Sequence, residues 1–219
     1  MSVVIMHVVK NNLFLCGDKK QSIVESTKDN VNEYTVTSIN DTIKVFKPNN
    51  TVVFGVAGGG IGYGNLLGEI LDEDRTITPD FCNWDYLKFK QYLDYRQEHL
   101  CPILEQKTNI GLYAKAFRLI LCGIKENNFF STLYQYPTVK GSEIYERSFD
   151  LNTNTFIVLS QIRYEEMYTT EYQKSMNKQV DFSLSSIVNG FNCMLKKCSK
   201  LDKSISTTSD AVSITIKEV

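Results

Sequence analysis

The sequence predicts an α+β domain in which helices cover the faces of antiparallel sheets. Three observations predict it. The elements run strands, two helices, strands, two helices and a last strand; neighbouring strands are joined by short turns; and no linker, composition shift or internal repeat divides the 219 residues. Residues 1–219 are therefore read as one domain.

The elements follow in order. Ser2 to Val9 is apolar and β-branched, Lys10-Asn11-Asn12 is turn-like, and Leu13 to Cys16 resumes a strand, which predicts a hairpin. Gly17-Asp18 ends it, and the polar stretch Lys19 to Asn40 is read as a long loop or exposed ribbon. A second hairpin is predicted from Thr42 to Phe46, a Pro48-Asn49-Asn50 turn, and Thr51 to Ala57. The glycine run Gly58 to Gly64 then leads into Leu66, Leu67, Ile70 and Leu71 at helical spacing.

A second helix is expected over Trp84 to Leu104, with Leu87, Tyr92, Tyr95 and Leu100 among its apolar positions and Pro102 near its end. Four strands come next, at Ala114 to Ile124, Phe129 to Tyr136, Glu143 to Phe149 and Thr155 to Ser160. Helices are expected at Tyr164 to Met176 and Leu184 to Cys198, and a final strand at Ala211 to Ile216.

Composition narrows the function. Net charge is −1 without a basic stripe, which argues against nucleic acid as a partner. The apolar runs, such as Leu119 to Gly123, are too short to cross a bilayer, and the N-terminus lacks the marks of a signal peptide, so a cytoplasmic protein without membrane contact is expected. The six cysteines form no CxxC pair, which leaves them as small hydrophobes rather than zinc ligands. With only His7 and His99 there is little material for a histidine-based triad. The glycine run lacks the Gly-Lys-Ser/Thr of a phosphate loop, so neither a cofactor nor a metal is implied.

Four residues then stand out together. Ser2 heads the first strand, Asp18 lies sixteen positions on at the end of the second, Lys44 lies in the third, and Gly58 follows fourteen positions later. This pattern resembles the proteasome β-subunit family, including the HslV-type ring proteases, whose mature chain begins with its nucleophile. In that family an Asp follows at the same separation, and a lysine precedes an Ala-Gly-Gly element, here Ala57-Gly58-Gly59, at the same distance. The resemblance implies a four-layer αββα sandwich, the fold of the N-terminal-nucleophile hydrolases.

The implied chemistry is coherent. Once Met1 is removed, Ser2 would carry a hydroxyl nucleophile and a free α-amine on one residue. The amine, with an ordinary pKa of about 7.7–8.0, can act as the base. By resemblance Lys44 tunes that pair, Asp18 holds Lys44, the Gly58 N–H meets the oxyanion, and Ser160 supports the amine. Val56, Gly58 and Gly60 are the substrate-binding candidates, with Val56 on the floor of the primary pocket.

The sequence also departs from the family. The nucleophile is Ser where Thr is usual, and the stretch between Asp18 and Lys44 is about ten residues longer, with Lys19, Lys20 and Lys28 as rival lysines. Near the C-terminus Asp202 and Ser209 are the candidates for a completing acid and serine. The leading expectation is a peptidase acting on peptides or unfolded protein in a homo-oligomeric ring of six or seven subunits, alone or stacked, with an ATPase unfoldase as a further partner. Two alternatives remain open: a noncatalytic ring or scaffold subunit that keeps Met1, and a small-molecule amidase.

Overall fold

The computed structural model describes residues 2–26, 34–39, 42–108, 115–137, 145–160 and 162–217. Eleven strands and four α-helices occupy them: β1 Val4–Val9, β2 Asn12–Asp18, β3 Gln21–Ser26, β4 Tyr34–Ile39, β5 Val45–Phe46, β6 Val52–Gly58, α1 Gly60–Leu67, α2 Tyr86–Gln106, β7 Phe117–Lys125, β8 Asn128–Tyr136, β9 Tyr145–Phe149, β10 Asn154–Leu159, α3 Ile162–Met176, α4 Leu184–Cys198 and β11 Ser209–Thr215. Two antiparallel sheets dominate, one ordered β10-β1-β2-β11 and the other β5-β6-β7-β8-β9, with β3 and β4 pairing as a separate ribbon.

Three apolar clusters show how the elements pack. Val4, Met6, Val8, Leu13 and Leu15 of the first sheet meet Val53, Ala57, Ile120 and Cys122 of the second. On the other face of the first sheet, Val3, Ile5, Phe14 and Cys16 pack against Tyr168, Tyr172, Phe191 and Met194 of α3 and α4. Phe54, Val56, Leu119 and Leu121 of the second sheet pack on Leu66, Leu67, Phe89 and Leu93 of α1 and α2. Strand β1 is buried along its whole length, because one face meets helices and the other a sheet. This is why its sequence is apolar on both faces, interrupted only by His7, rather than an alternation.

Turn chemistry sets the hairpins. Lys10, Glu126 and Asn127 adopt positive φ at the β1–β2 and β7–β8 turns, a conformation tight hairpin turns demand. Two helix caps are local as well: the Asp85 carboxylate accepts from the Lys88 N–H at the start of α2, and the Ser183 hydroxyl from the Ser186 N–H at the start of α4.

Several expectations need correction. The strand expected over Thr42 to Phe46 shrinks to Val45–Phe46. The first helix stops at Leu67, and Leu71 instead bridges to Ile77. On α2 the buried stripe is Tyr86, Phe89, Leu93, Gln97, Leu100 and Leu104, while Leu87 and Tyr95 are exposed on the opposite face. Pro102 does lie near the end of that helix, as expected, four residues before its last residue. Of the cysteines only Cys16, Cys122 and Cys198 are buried, and Cys193 is exposed. Lys28 and Ala114 lie outside the described residues.

Candidate active site

Asp18 is the hub of the candidate site. It closes β2 and is fully buried. Its Oδ1 accepts the Val3 N–H at 2.8 Å and the Lys44 Nζ at 2.6 Å. Its Oδ2 accepts the N–H groups of Lys20 and Ser206, each at 3.1 Å. A carboxylate taken out of water needs such donors, and charge-assisted bonds are the strongest available to it. The Asp18 N–H in turn donates to the Val3 carbonyl at 3.1 Å, so β1 and β2 are locked together just beside Ser2.

Lys44 is 3% exposed and also donates to the Lys20 carbonyl. Burial holds its pKa below the ordinary lysine value, while Asp18 beside it works against that shift. Two of the rival lysines are engaged elsewhere: Lys19 with Asp210 at 3.3 Å, and the Lys20 ammonium with the Lys203 carbonyl at 2.6 Å. Lys20 contributes through its main chain instead, as donor to Asp18 and acceptor from Lys44.

Gly58 ends β6 with φ +122°, a conformation that glycine alone adopts readily. A Cβ there would lie 2.4 Å from the Ala116 carbonyl oxygen. The ladder bonds on either side fix where its N–H points. Gly59 N–H donates to Ala116 O across to β7 at 2.6 Å, and Val56 N–H donates to Lys44 O on the other side at 2.8 Å. Backbone groups alternate sides along a strand, so the Gly58 N–H, in phase with Val56, is directed away from β7 and toward the Lys44 side.

The remaining candidates fall around this frame. Ser2 is half-buried and directly precedes Val3. Continuing the alternation of β1, it falls in phase with Val4, whose side chain enters the core between the sheets. Ser160 is buried and follows Leu159, the partner of Val4, which places it across from Val3. Val56 is 2% exposed and belongs to the same buried apolar cluster as Leu66 and Leu67. Gly60 is the first residue of α1.

Neither C-terminal candidate is drawn to Asp18 by its side chain. Asp202 accepts the Tyr168 hydroxyl at 2.6 Å and the Ser204 N–H at 2.9 Å. Ser209 pairs with Asp18 in the strand register, but its hydroxyl donates to Asn192 at 2.8 Å. The segment between them reaches Asp18 through the Ser206 N–H. Sequence reading missed this donor and that of Lys20, because a main-chain N–H carries no residue signature.

A cavity of about 180 Å³ lies between the sheets on the other flank, lined by Arg118, Ser131, Arg147, Leu159 and Glu165 among others. Arg118 pairs with Ala57 and Leu159 with Val4, so the cavity adjoins the strand ends that carry the site. No group of metal-ligating side chains occurs among the described residues, and no helix there is long and apolar enough to cross a membrane.

Comparison with known proteins agrees with this arrangement at the level of fold. No protein-family model matches the chain, and no curated protein matches it. Among solved structures, HslV from Trypanosoma brucei aligns with a TM-score of 0.51 at 13% identity, over 97% of this chain and 99% of its own. Anbu from Pseudomonas aeruginosa, solved as a helical assembly, aligns at 0.59 with 10% identity, over 98% and 81%. Thiobacillus denitrificans BPH, solved with epoxomicin, aligns at 0.53 with 6% identity over 100% of both chains. The chain therefore has the proteasome-like fold of the N-terminal-nucleophile hydrolases.

Proposed function

We propose that this chain is an N-terminal-nucleophile peptidase with Ser2 as its nucleophile, built as a single domain with a four-layer αββα arrangement. One observation carries the reading: the Asp18 carboxylate bonds at once the backbone of Val3, the residue after Ser2, and the Lys44 ammonium. The nucleophile's strand and the cation are thereby tied to one buried anion.

In this mechanism removal of Met1 frees the Ser2 amine. The amine takes the proton from Ser2 Oγ as the oxygen attacks a peptide carbonyl. Lys44 lowers the amine's basicity to suit neutral pH and favours the developing alkoxide. The Gly58 N–H donates to the oxyanion of the tetrahedral intermediate; losing one such donor typically costs about 2.7–4 kcal/mol. The protonated amine then passes its proton to the leaving nitrogen as the C–N bond breaks, leaving an ester on Ser2. Water, activated by the same amine, hydrolyses that ester. Ser160, across from Val3, supports the amine.

The substrates are peptides or unfolded protein. The working form is a cytoplasmic homo-oligomeric ring of six or seven subunits, alone or stacked, which an ATPase unfoldase can feed. Burial of Val56 within an apolar cluster favours a second reading, an inactive ring subunit, since the residue itself is not exposed to a substrate. Turnover of a fluorogenic peptide panel decides between them. The peptidase reading predicts cleavage that Ser2→Ala removes; cleavage that persists in Ser2→Ala refutes it.

A further inference from the structure

We infer that Lys115 is a positioning residue for the Gly58–Gly59 turn, coupling the C-terminus of α2 to the proposed oxyanion donor. Lys115 is buried, at 8% exposure. Its ammonium donates to the carbonyls of Leu104 at 3.1 Å and Lys107 at 2.9 Å. Both carbonyls belong to the end of α2, where the last acceptors of a helix lack intrahelical partners and the macrodipole is negative. A cation is the natural cap there, and removing it leaves those acceptors without the donor they were buried with.

What the cap holds is the next residue. Ala116 follows Lys115 directly, and its carbonyl accepts the Gly59 N–H at 2.6 Å. The same oxygen lies against Gly58, so close that a Cβ there would be 2.4 Å away. The Ala116 carbonyl thus bonds Gly59 and bounds the space open to Gly58, whose φ of +122° turns the chain from β6 toward α1. Fixing Lys115 to the helix end fixes Ala116, and Ala116 sets the plane of the peptide that follows Gly58. An oxyanion donor is effective only when it is held in place before reaction, so slack in this turn lowers turnover more than it weakens substrate binding.

The inference rests on the peptidase reading for its catalytic consequence, but the anchoring is measurable without turnover. Lys115→Met and Lys115→Arg are compared with the unaltered protein by amide hydrogen exchange and by peptide kinetics, with Ser2→Ala run alongside. The expected result for Lys115→Met is exchange at the Gly59 amide faster by about tenfold, with the mid-strand Gly55 amide unchanged. kcat falls by about tenfold with KM within about twofold, and Lys115→Arg restores both. Unchanged Gly59 exchange in Lys115→Met overturns the anchoring, and faster exchange with unchanged kcat overturns the catalytic coupling. Cleavage that survives in Ser2→Ala instead refutes the peptidase reading, while Gly59 exchange still decides whether Lys115 anchors the turn.

Discussion

Two buried polar clusters sit at opposite ends of β1, and they solve the problem of burial differently. At the N-terminal end the Asp18–Lys44 pair keeps charges in the interior and surrounds the carboxylate with backbone N–H groups. Toward the other end, burial of His7, 2% exposed, favours its neutral form. Asn154 Oδ1 accepts its Nε2–H at 3.0 Å, and its Nδ1 accepts the Tyr172 hydroxyl at 2.8 Å. Burial depresses the His7 pKa, while the Asn154 bond opposes that shift.

A neutral, fully bonded histidine is an economical way to fill a core. A buried ion pair is not, since an apolar replacement of the same shape is often as stable or more so. Charge retained at one end and avoided at the other marks the first as the end where chemistry would use it. The open cavity of about 470 Å³ beside His7, lined by Asn154, Gln173, Asn177 and Gln179 among others, is correspondingly free of carboxylates and ammonium groups.

Removing charges one at a time is the strongest way to break this comparison. Asp18→Ala strands the Lys44 ammonium and the N–H groups of Val3, Lys20 and Ser206, and is expected to cost about 3–5 kcal/mol. In a domain of this size that lowers Tm by roughly 6–20 °C in thermal denaturation. Lys44→Met should cost less, because Asp18 keeps its three main-chain donors. Equal losses would show that those N–H groups contribute little to holding the carboxylate.

Gly58→Ala comes next in stability but first in activity. Strain at positive φ and the clash with Ala116 O are expected to cost about 1–3 kcal/mol. Peptide turnover should fall by about 10²–10³, the effect of losing one oxyanion donor. A variant that keeps full kcat would move the oxyanion donor to another residue.

The neutral end should answer to acid. Because the folded pKa of His7 lies below its unfolded value of about 6.5, the unfolded chain takes up the proton first as pH falls. His7 therefore stabilises the fold fully above about pH 6.5, and that contribution is lost progressively below it, by at most about 1.4 kcal/mol per pH unit. Denaturant titrations from pH 7.5 to 5 should show this slope in the unaltered chain and a flatter one in His7→Gln. The smallest effect belongs to Tyr172→Phe, which removes one neutral donor and should cost about 1 kcal/mol.

Most of the frame was legible because its signals are local. The β1–β2 hairpin, β8 and α4 follow from apolar runs, turn residues and helical spacing, and they lie within a residue or two of where they were expected. Asp18 and Lys44 could be paired only through resemblance to a known family, whose spacings match Ser2 to Asp18 and Lys44 to Gly58, and the structure brings the two side chains to 2.6 Å. The contacts that complete the cluster were not legible. Ser206 and Lys20 act through their main chain, and Lys115 is one lysine among many until the end of α2 lies beside it. Leu87 and Tyr95 misled for a different reason: apolar residues on an exposed helix face carry the same helical spacing as a core stripe.

The most direct test of the central claim is intact mass before and after exposure to an electrophile that acylates N-terminal hydroxyl nucleophiles. The account predicts a chain lacking Met1 that gains a single adduct, located on Ser2 by fragmentation and absent from Ser2→Ala. A chain that retains Met1 and gains no adduct would contradict it, leaving the proteasome-like fold in place without its chemistry.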